Sequence, residues 1–237
     1  MRTAARTTPR PTTRDGQHLL LGGIDWTTYE KFLDAVGNRP IRLTYDGEDL
    51  EFTLPRWDQE SFSRCMNSFV VALGLVLKCA IRGGGSTTLK RAGVKRGVEA
   101  DQCYYIRNEP VARGITDLDL NVLPPPDLAL EVDITHYSLD RMAIYAALGV
   151  PEIWRYDGEE VFIYHLHNGV HETASNSLAF PVLTLSHLHD FIRESISLSD
   201  TAIQVAAIKW VKKRILPLWR KMQGRSRQQT KRPRPPK

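Results

Sequence analysis

Asp127, Glu131 and Asp133 fall at alternate positions, all with odd residue numbers, in one short run, Pro126-Asp127-Leu128-Ala129-Leu130-Glu131-Val132-Asp133. A strand alternates its side chains between two faces, so the three acids share one face with Ala129, and Leu128, Leu130 and Val132 take the other. Carboxylates on an otherwise buried strand are costly unless something offsets their charge. Three arrangements satisfy that requirement: an arginine in the core, solvent at a sheet edge, or a divalent cation bound by hard oxygen donors, as Mg²⁺ prefers. Glu131 and Asp133 are about 6.8 Å apart at Cα, close enough for both carboxylates to converge on one ion, directly or through water. Asp127 is about 13 Å from Glu131 and cannot share that shell.

The elements around this strand follow from local pattern. Pro124-Pro125-Pro126 delivers the chain rigidly into it. A helix is expected over Ser138–Leu148, carrying Asp140, Arg141 and Tyr145, with Arg141 and Tyr145 four apart on one face. Packing is the favoured role for Tyr145. His136 and Tyr137, between strand and helix, could line a cleft.

Upstream, Asp25 can cap a short helix, Trp26–Ala35, that Gly37 and Asn38 end. Asp46-Gly47 between Ile41–Tyr45 and Leu50–Leu54 is a hairpin signal. Apolar residues from Phe62 to Val76 recur at helical spacing, predicting a long helix over Asp58–Leu77. Strands are expected at Leu77–Ile81, Thr87–Leu89 and Cys103–Ile106, an exposed loop over 91–100, and loop-rich chain from Asn108 to Leu123. The run Arg82-Gly83-Gly84-Gly85-Ser86 lacks the lysine and spacing of a phosphate-binding loop and reads as a turn. Downstream, Ile153–Tyr156 and Val161–His165 form a second hairpin about Asp157-Gly158, with a further edge strand near His171. Helices follow near Leu188–Ser195 and from Asp200 to Met222, the latter amphipathic, basic and interrupted by Pro217.

The 237 residues suffice for one sizeable core. They contain no apolar run long enough to span a membrane and no secretory signal, which points to the cytoplasm. Cys65, Cys79 and Cys103 are too few and too scattered for a disulfide framework or a zinc site, and read as buried thiols. Residues 201–237 hold twelve Lys and Arg and no acid, leaving −7 on the first 200 residues against the overall +5. A basic tail of that kind binds polyanions by counterion release or serves only to solubilise. The expected division is a disordered tail over 1–23, one folded domain over 24–198, a basic amphipathic helix over 199–222 and a disordered basic tail over 223–237.

Three segments together resemble one family: Glu99-Ala100-Asp101-Gln102-Cys103-Tyr104-Tyr105-Ile106, then Pro125 to Asp133, then Asp140-Arg141-Met142-Ala143-Ile144-Tyr145 through Gly149-Val150-Pro151-Glu152-Ile153-Trp154. They look like the Uma family of bacterial proteins grouped with restriction endonucleases, within the PD-(D/E)XK nuclease superfamily. The resemblance covers about residues 25–195. It implies an α/β (α+β) fold, a restriction-endonuclease-like mixed β-sheet flanked by helices. It also implies an endonuclease that hydrolyses DNA with Mg²⁺ or Mn²⁺, and a homodimer if both strands are cut. By the same resemblance Asp101 and Glu131, with Asp133, are metal ligands, and Asp133 stands where the motif has lysine. Asp127 is a decoy. Arg141 takes the displaced lysine's place on the following helix, and Glu60 completes the acidic set. Arginine stays charged at any working pH, so Arg141 can clamp a phosphate oxygen but not act as a base; it can equally pair with Asp133. The alternative is a catalytically degenerate nuclease fold that serves as a DNA-binding or protein-interaction module.

Overall fold

The computed structural model describes residues 12–14, 18–134 and 138–230. The chain opens with β1 (Thr12–Arg14), β2 (His18–Leu21), α1 (Trp26–Val36), β3 (Arg42–Tyr45) and β4 (Leu50–Thr53). The long helix α2 (Trp57–Leu77) follows, then β5 (Arg82–Gly83), β6 (Thr88–Arg91), β7 (Arg96–Glu99), β8 (Gln102–Tyr105) and the single turn α3 (Glu109–Ala112). The second half contains β9 (Leu128–Val132), α4 (Arg141–Leu148), β10 (Glu152–Tyr156), β11 (Val161–His167), β12 (Val170–Ala174), α5 (Leu185–Ser195), α6 (Asp200–Arg214) and α7 (Leu216–Thr230).

The strands form two six-stranded sheets, β1-β2-β4-β3-β7-β6 and β12-β11-β10-β9-β8-β5. The first is antiparallel throughout. The second contains one parallel pair, β9 with β10, whose crossover is α4. The chain passes from β7 in the first sheet to β8 in the second through Ala100 and Asp101, so an acid sits at the junction of the sheets.

Local chemistry explains most of these elements. The Asp25 carboxylate accepts from Thr28 N at 2.8 Å and starts α1, which Gly37 ends at positive φ. In the first hairpin Asp46 accepts from the backbone N–H groups of Glu48 and Asp49, fixing the turn. Alternation along β9 buries both of its faces. Leu128, Leu130 and Val132 join α2, α5 and α6 in the largest core cluster, and Ala129 joins Ile144, Tyr145 and Leu148 of α4. A strand covered on both faces is what a parallel neighbour and a helical crossover require.

Four expectations are corrected. Residues 91–100 contain a strand, β7, rather than only loop. Its four residues, Arg-Gly-Val-Glu, offer a single apolar side chain to an alternation test. The chain at 78–81 is not a strand: Lys78 closes α2 in the left-handed conformation, and the extended pair lies later, at Arg82–Gly83 within the glycine run. Within the expected N-terminal tail, His18–Leu21 pair with β4, and the backbone of Thr12–Arg14 pairs with them. Residues 1–11 and 15–17 lie outside the described residues. Within the expected C-terminal tail, helical backbone continues to Thr230, and 231–237 lie outside the described residues. No helix among the described residues is long and apolar enough to cross a membrane.

Candidate active site

β8 and β9 are antiparallel, with Gln102 opposite Leu130 and Cys103 opposite Ala129. One step further along this register sets Asp101 opposite Glu131. Directly opposed residues have Cβ atoms about 5 Å apart. The Asp101 Oδ2 also accepts from Val132 N at 2.7 Å, which locks it against the end of β9. Two acids far apart in sequence are thereby placed side by side, both 2 % exposed.

Each acid is met by arginine. The Asp101 Oδ1 takes a charge-assisted bond from Arg42, whose other terminal nitrogen donates to Glu60 Oε1 at 2.7 Å. Arg141 donates to Glu131 Oε1 at 2.8 Å, to Thr44 Oγ1 at 2.9 Å and to the Glu99 carbonyl at 2.6 Å. The Tyr145 hydroxyl donates to the same Glu131 oxygen. Asp133 pairs with Arg155. The result is a lattice of four carboxylates and three guanidiniums. Glu131, Asp133, Asp140, Arg141 and Arg155 border a cavity of about 210 Å³ at its edge.

Burial raises the Glu131 carboxyl above the ordinary carboxylate range; Arg141 pulls it back down and the Asp101 charge pushes it further up. Burial also raises the Tyr145 phenol, with the Glu131 charge adding to the effect. Glu99 is pushed up to about 7, chiefly by burial, with Arg42 and Arg141 opposing and Asp101 and Glu60 reinforcing.

All five residues expected to form the site thus meet at one place, with different partners from those foreseen. Arg141 pairs with Glu131, not with Asp133. Glu60 joins through Arg42. Tyr145 does more than pack. Asp127 lies at the other end of β9, where its carboxylate accepts from Ile106 N, Asn108 N and Asn108 Nδ2 at 2.7–3.0 Å and holds a loop. His136 and Tyr137 lie outside the described residues. His165 and His171 bind backbone carbonyls, Asn176 for the first and Met142 and Val150 for the second.

Arg42, Thr44 and Arg155 were not singled out in the sequence. Arg42 and Thr44 alternate with Leu43 and Tyr45, a pattern that ordinarily marks a solvated face. Here both are buried. Glu51, opposite Thr44 in the hairpin and fully buried, likewise gave no signal; its Oε1 accepts from Ser138 N at 2.8 Å.

One feature of the donor set fits a cation. The buried Glu131 Oε2 has no hydrogen-bond partner among the described residues. A buried carboxylate oxygen without a donor is expensive and needs a positive charge or a proton. Asp101 beside it retains lone pairs beyond the two bonds it accepts. Two carboxylates completed by water suit Mg²⁺. Among the described residues no group of three or more His, Cys, Asp or Glu is arranged to hold an ion by itself.

The mixed second sheet flanked by helices, with Asp101 and Glu131 side by side on neighbouring strands, is the architecture that the resemblance implies. Residues 30–197 match the Uma2 family, described as "Putative restriction endonuclease". The match spans well over half of the chain, and the chain belongs to this family. Among solved structures, the chain is similar to one from Anabaena variabilis described as a "putative nuclease belonging to DUF820", at 17 % identity and a TM-score of 0.45, over 78 % of this chain and 99 % of that one. No curated protein matches.

Proposed function

We propose that this protein is a cytoplasmic endonuclease that hydrolyses phosphodiester bonds of DNA with Mg²⁺, or Mn²⁺ in its place. The observation that carries the reading is the opposed pair Asp101 and Glu131, with the Glu131 Oε2 buried and lacking a donor. Asp101 and Glu131 would hold the metal, with Asp133 at the cavity edge as a supporting acid. The metal would supply a water of lowered pKa and offset charge on the phosphorane. Glu60 orients Arg42, and through it Asp101. Arg141 and Tyr145 orient Glu131, leaving its Oε2 directed away from their shared bonds. Arg141 is engaged on three acceptors, so contact with a phosphate oxygen would require it to exchange one of them. The basic C-terminal tail supplies affinity for DNA of any sequence. Cutting both strands of a duplex calls for two such sites, hence a homodimer.

A second reading is favoured by one observation: each carboxylate of the site already has a guanidinium. On that reading the lattice is a fixed structural network, and the fold serves as a DNA-binding or protein-interaction module without catalysis. Cleavage of supercoiled plasmid in Mg²⁺ or Mn²⁺, against EDTA and against Glu131→Gln, separates the two. The nuclease reading expects nicked or linear product that EDTA and the substitution both abolish. Cleavage equal in wild type and Glu131→Gln would remove the site, and absence of cleavage in the wild type would favour the module.

A further inference from the structure

The three arginines of the lattice differ in what they can still reach. The Arg42 side chain is 6 % exposed and lies between Asp101 and Glu60. The Arg141 side chain is 5 % exposed and bonded to Glu131, Thr44 and the Glu99 carbonyl. Arg42 is enclosed by the two acids it holds, and Arg141 reaches the cavity edge with its fork engaged on three acceptors. Arg155 borders the same cavity as Arg141 but differs in exposure, its side chain being 33 % exposed. In the parallel register of β9 and β10 it is paired with Glu131, and so lies on the same sheet face. Asp101, Glu131 and Arg155 therefore form one row across three adjacent strands, with two carboxylates at one end and a guanidinium at the other.

Resting on the nuclease reading above, we infer that Arg155 is the residue that contacts the scissile phosphate. A guanidinium offers five donors in a planar fork that matches two phosphate oxygens. Asp133 engages the fork and sets its direction, Tyr164 also interacts with it, and the side chain borders the cavity. In hydrolysis an oxygen–phosphorus bond forms from water and a phosphorus–oxygen bond to the leaving strand breaks. Arg155 transfers no proton in either event. It stabilises the extra negative charge on the non-bridging oxygens, which is larger in the transition state than in the ground state. An arginine at the exposed end of an acidic row also solves an electrostatic problem. Without it a polyanionic substrate would approach the carboxylates with only Arg141, already engaged on three acceptors, as a cation bordering the cavity.

The test uses the full chain and a short duplex. Binding is followed by fluorescence anisotropy in Ca²⁺, and cleavage in Mg²⁺ at saturating duplex. Arg155→Met is expected to slow cleavage roughly 100-fold, and Arg155→Lys to retain a larger share because the charge remains. In binding, Arg155→Met is expected to weaken affinity several-fold and to lower the slope of log K against log salt by about 0.9, the value of one phosphate contact. Cleavage by Arg155→Met within about threefold of wild type would overturn the inference. If the wild type cleaves nothing, the nuclease reading fails. The contact is then judged on binding, where unchanged affinity and slope would overturn it. Should Arg155→Met fail to fold, Arg155→Gln, which keeps a donor toward Asp133, carries the same expectations.

Discussion

Arg141 donates to Glu131 across 2.8 Å, and neither side chain is more than 5 % exposed. A pair so enclosed gains little over an apolar pair of the same shape, because both charges lose their water. Removing one partner is a different matter, since the other charge is stranded. Arg141→Met is expected to destabilise the fold by about 3–5 kcal/mol. Glu131→Gln should cost less, because the amide oxygen still accepts from Arg141 and Tyr145. Combining Glu131→Gln with Arg141→Met should cost less than the sum of the two. Urea denaturation of the three variants checks this, and strict additivity would show that the two side chains act independently.

Glu99 gives the fold a pH dependence of definite sign. Burial, the largest influence, moves its carboxyl from the ordinary 4.5 to about 7. A group that holds its proton more tightly when folded favours the folded state at low pH. That advantage is lost as pH rises through the folded value, so the penalty grows between about pH 4.5 and 7. Glu99→Gln cannot ionise and escapes the penalty. Measured by urea midpoint in EDTA, the variant should match the wild type at pH 4.5 and exceed it at pH 8. The difference should be on the order of 1 kcal/mol, allowing for the partial exposure of the side chain. An equal gap at both pH values would assign the effect to packing.

The acids and Arg141 were legible in the sequence and its resemblance, and the other two arginines of the site were not, for a physical reason. Glu131 and Asp133 stand out because acids on a strand of Leu, Ala and Val violate the expected alternation. Asp101 is added by the resemblance of its segment to a nuclease family. Arginine carries no such mark, because on a hairpin or strand face it reads as solvated. Arg42 meets Asp101 from 59 residues away, and Arg155 meets Asp133 only through the β9–β10 register. Both contacts are set by tertiary arrangement, which no local pattern encodes. Pairing Arg141 with Asp133 was reasonable by proximity in sequence. The parallel pairing of β9 with β10 supplies Asp133 with a nearer arginine, while α4 directs Arg141 and Tyr145 together onto Glu131. The hairpins, the long helix and the β9–α4–β10 unit were legible because turn chemistry and apolar period agree there. β2 and β7 were not, because His-Leu-Leu-Leu and Arg-Gly-Val-Glu show no alternation of apolar and polar side chains.

Gly97 and Tyr29 define a close approach between α1 and the first sheet. A Cβ on Gly97 would overlap the Tyr29 hydroxyl and come within 2.6 Å of its Cζ. Tyr29 is fully buried and stacks on Tyr45 at 4.7 Å between centroids, so it has little room to move. Gly97→Ala is expected to destabilise by about 1–3 kcal/mol, the range for overpacking a core. The Tyr29 hydroxyl has no hydrogen-bond partner among the described residues, and burial raises its pKa. Tyr29→Phe should therefore leave stability unchanged or raise it. In combination it should recover part of the Gly97→Ala loss, because the overlap with oxygen disappears while that with the ring remains. Thermal melts of the four proteins decide the matter; a double variant no better than Gly97→Ala would mean that backbone displacement, not the hydroxyl, sets the cost.

The basic C-terminal helix stands apart from the acids it is proposed to serve. Gln59, in the first turn of α2, donates to the Val132 carbonyl beside the site at 3.1 Å. Further along, Ser68 of α2 accepts from Gln204 of α6 at 2.7 Å, and Trp219 of α7 borders a cavity with Cys79 and Ala80, just past the end of α2. The α2 axis thus separates the site from α7, and its 21 residues are about 30 Å long. The expected role of the cations beyond Met222 is to hold DNA that flanks the phosphate being cut. Deleting residues 222–237 removes six Lys and Arg. If all six contact phosphates, the slope of log K against log salt falls by about 5, and affinity at low salt falls with it. The cleavage rate at saturating DNA should stay within about twofold of the full chain, because nothing in the acid–arginine lattice is removed. Duplex titrations across a salt series provide the measurement. A slope equal to that of the full chain would show that the segment makes no phosphate contacts. A fall in cleavage at saturation with an unchanged slope would instead assign α7 a role in holding α2, and through Gln59 the end of β9.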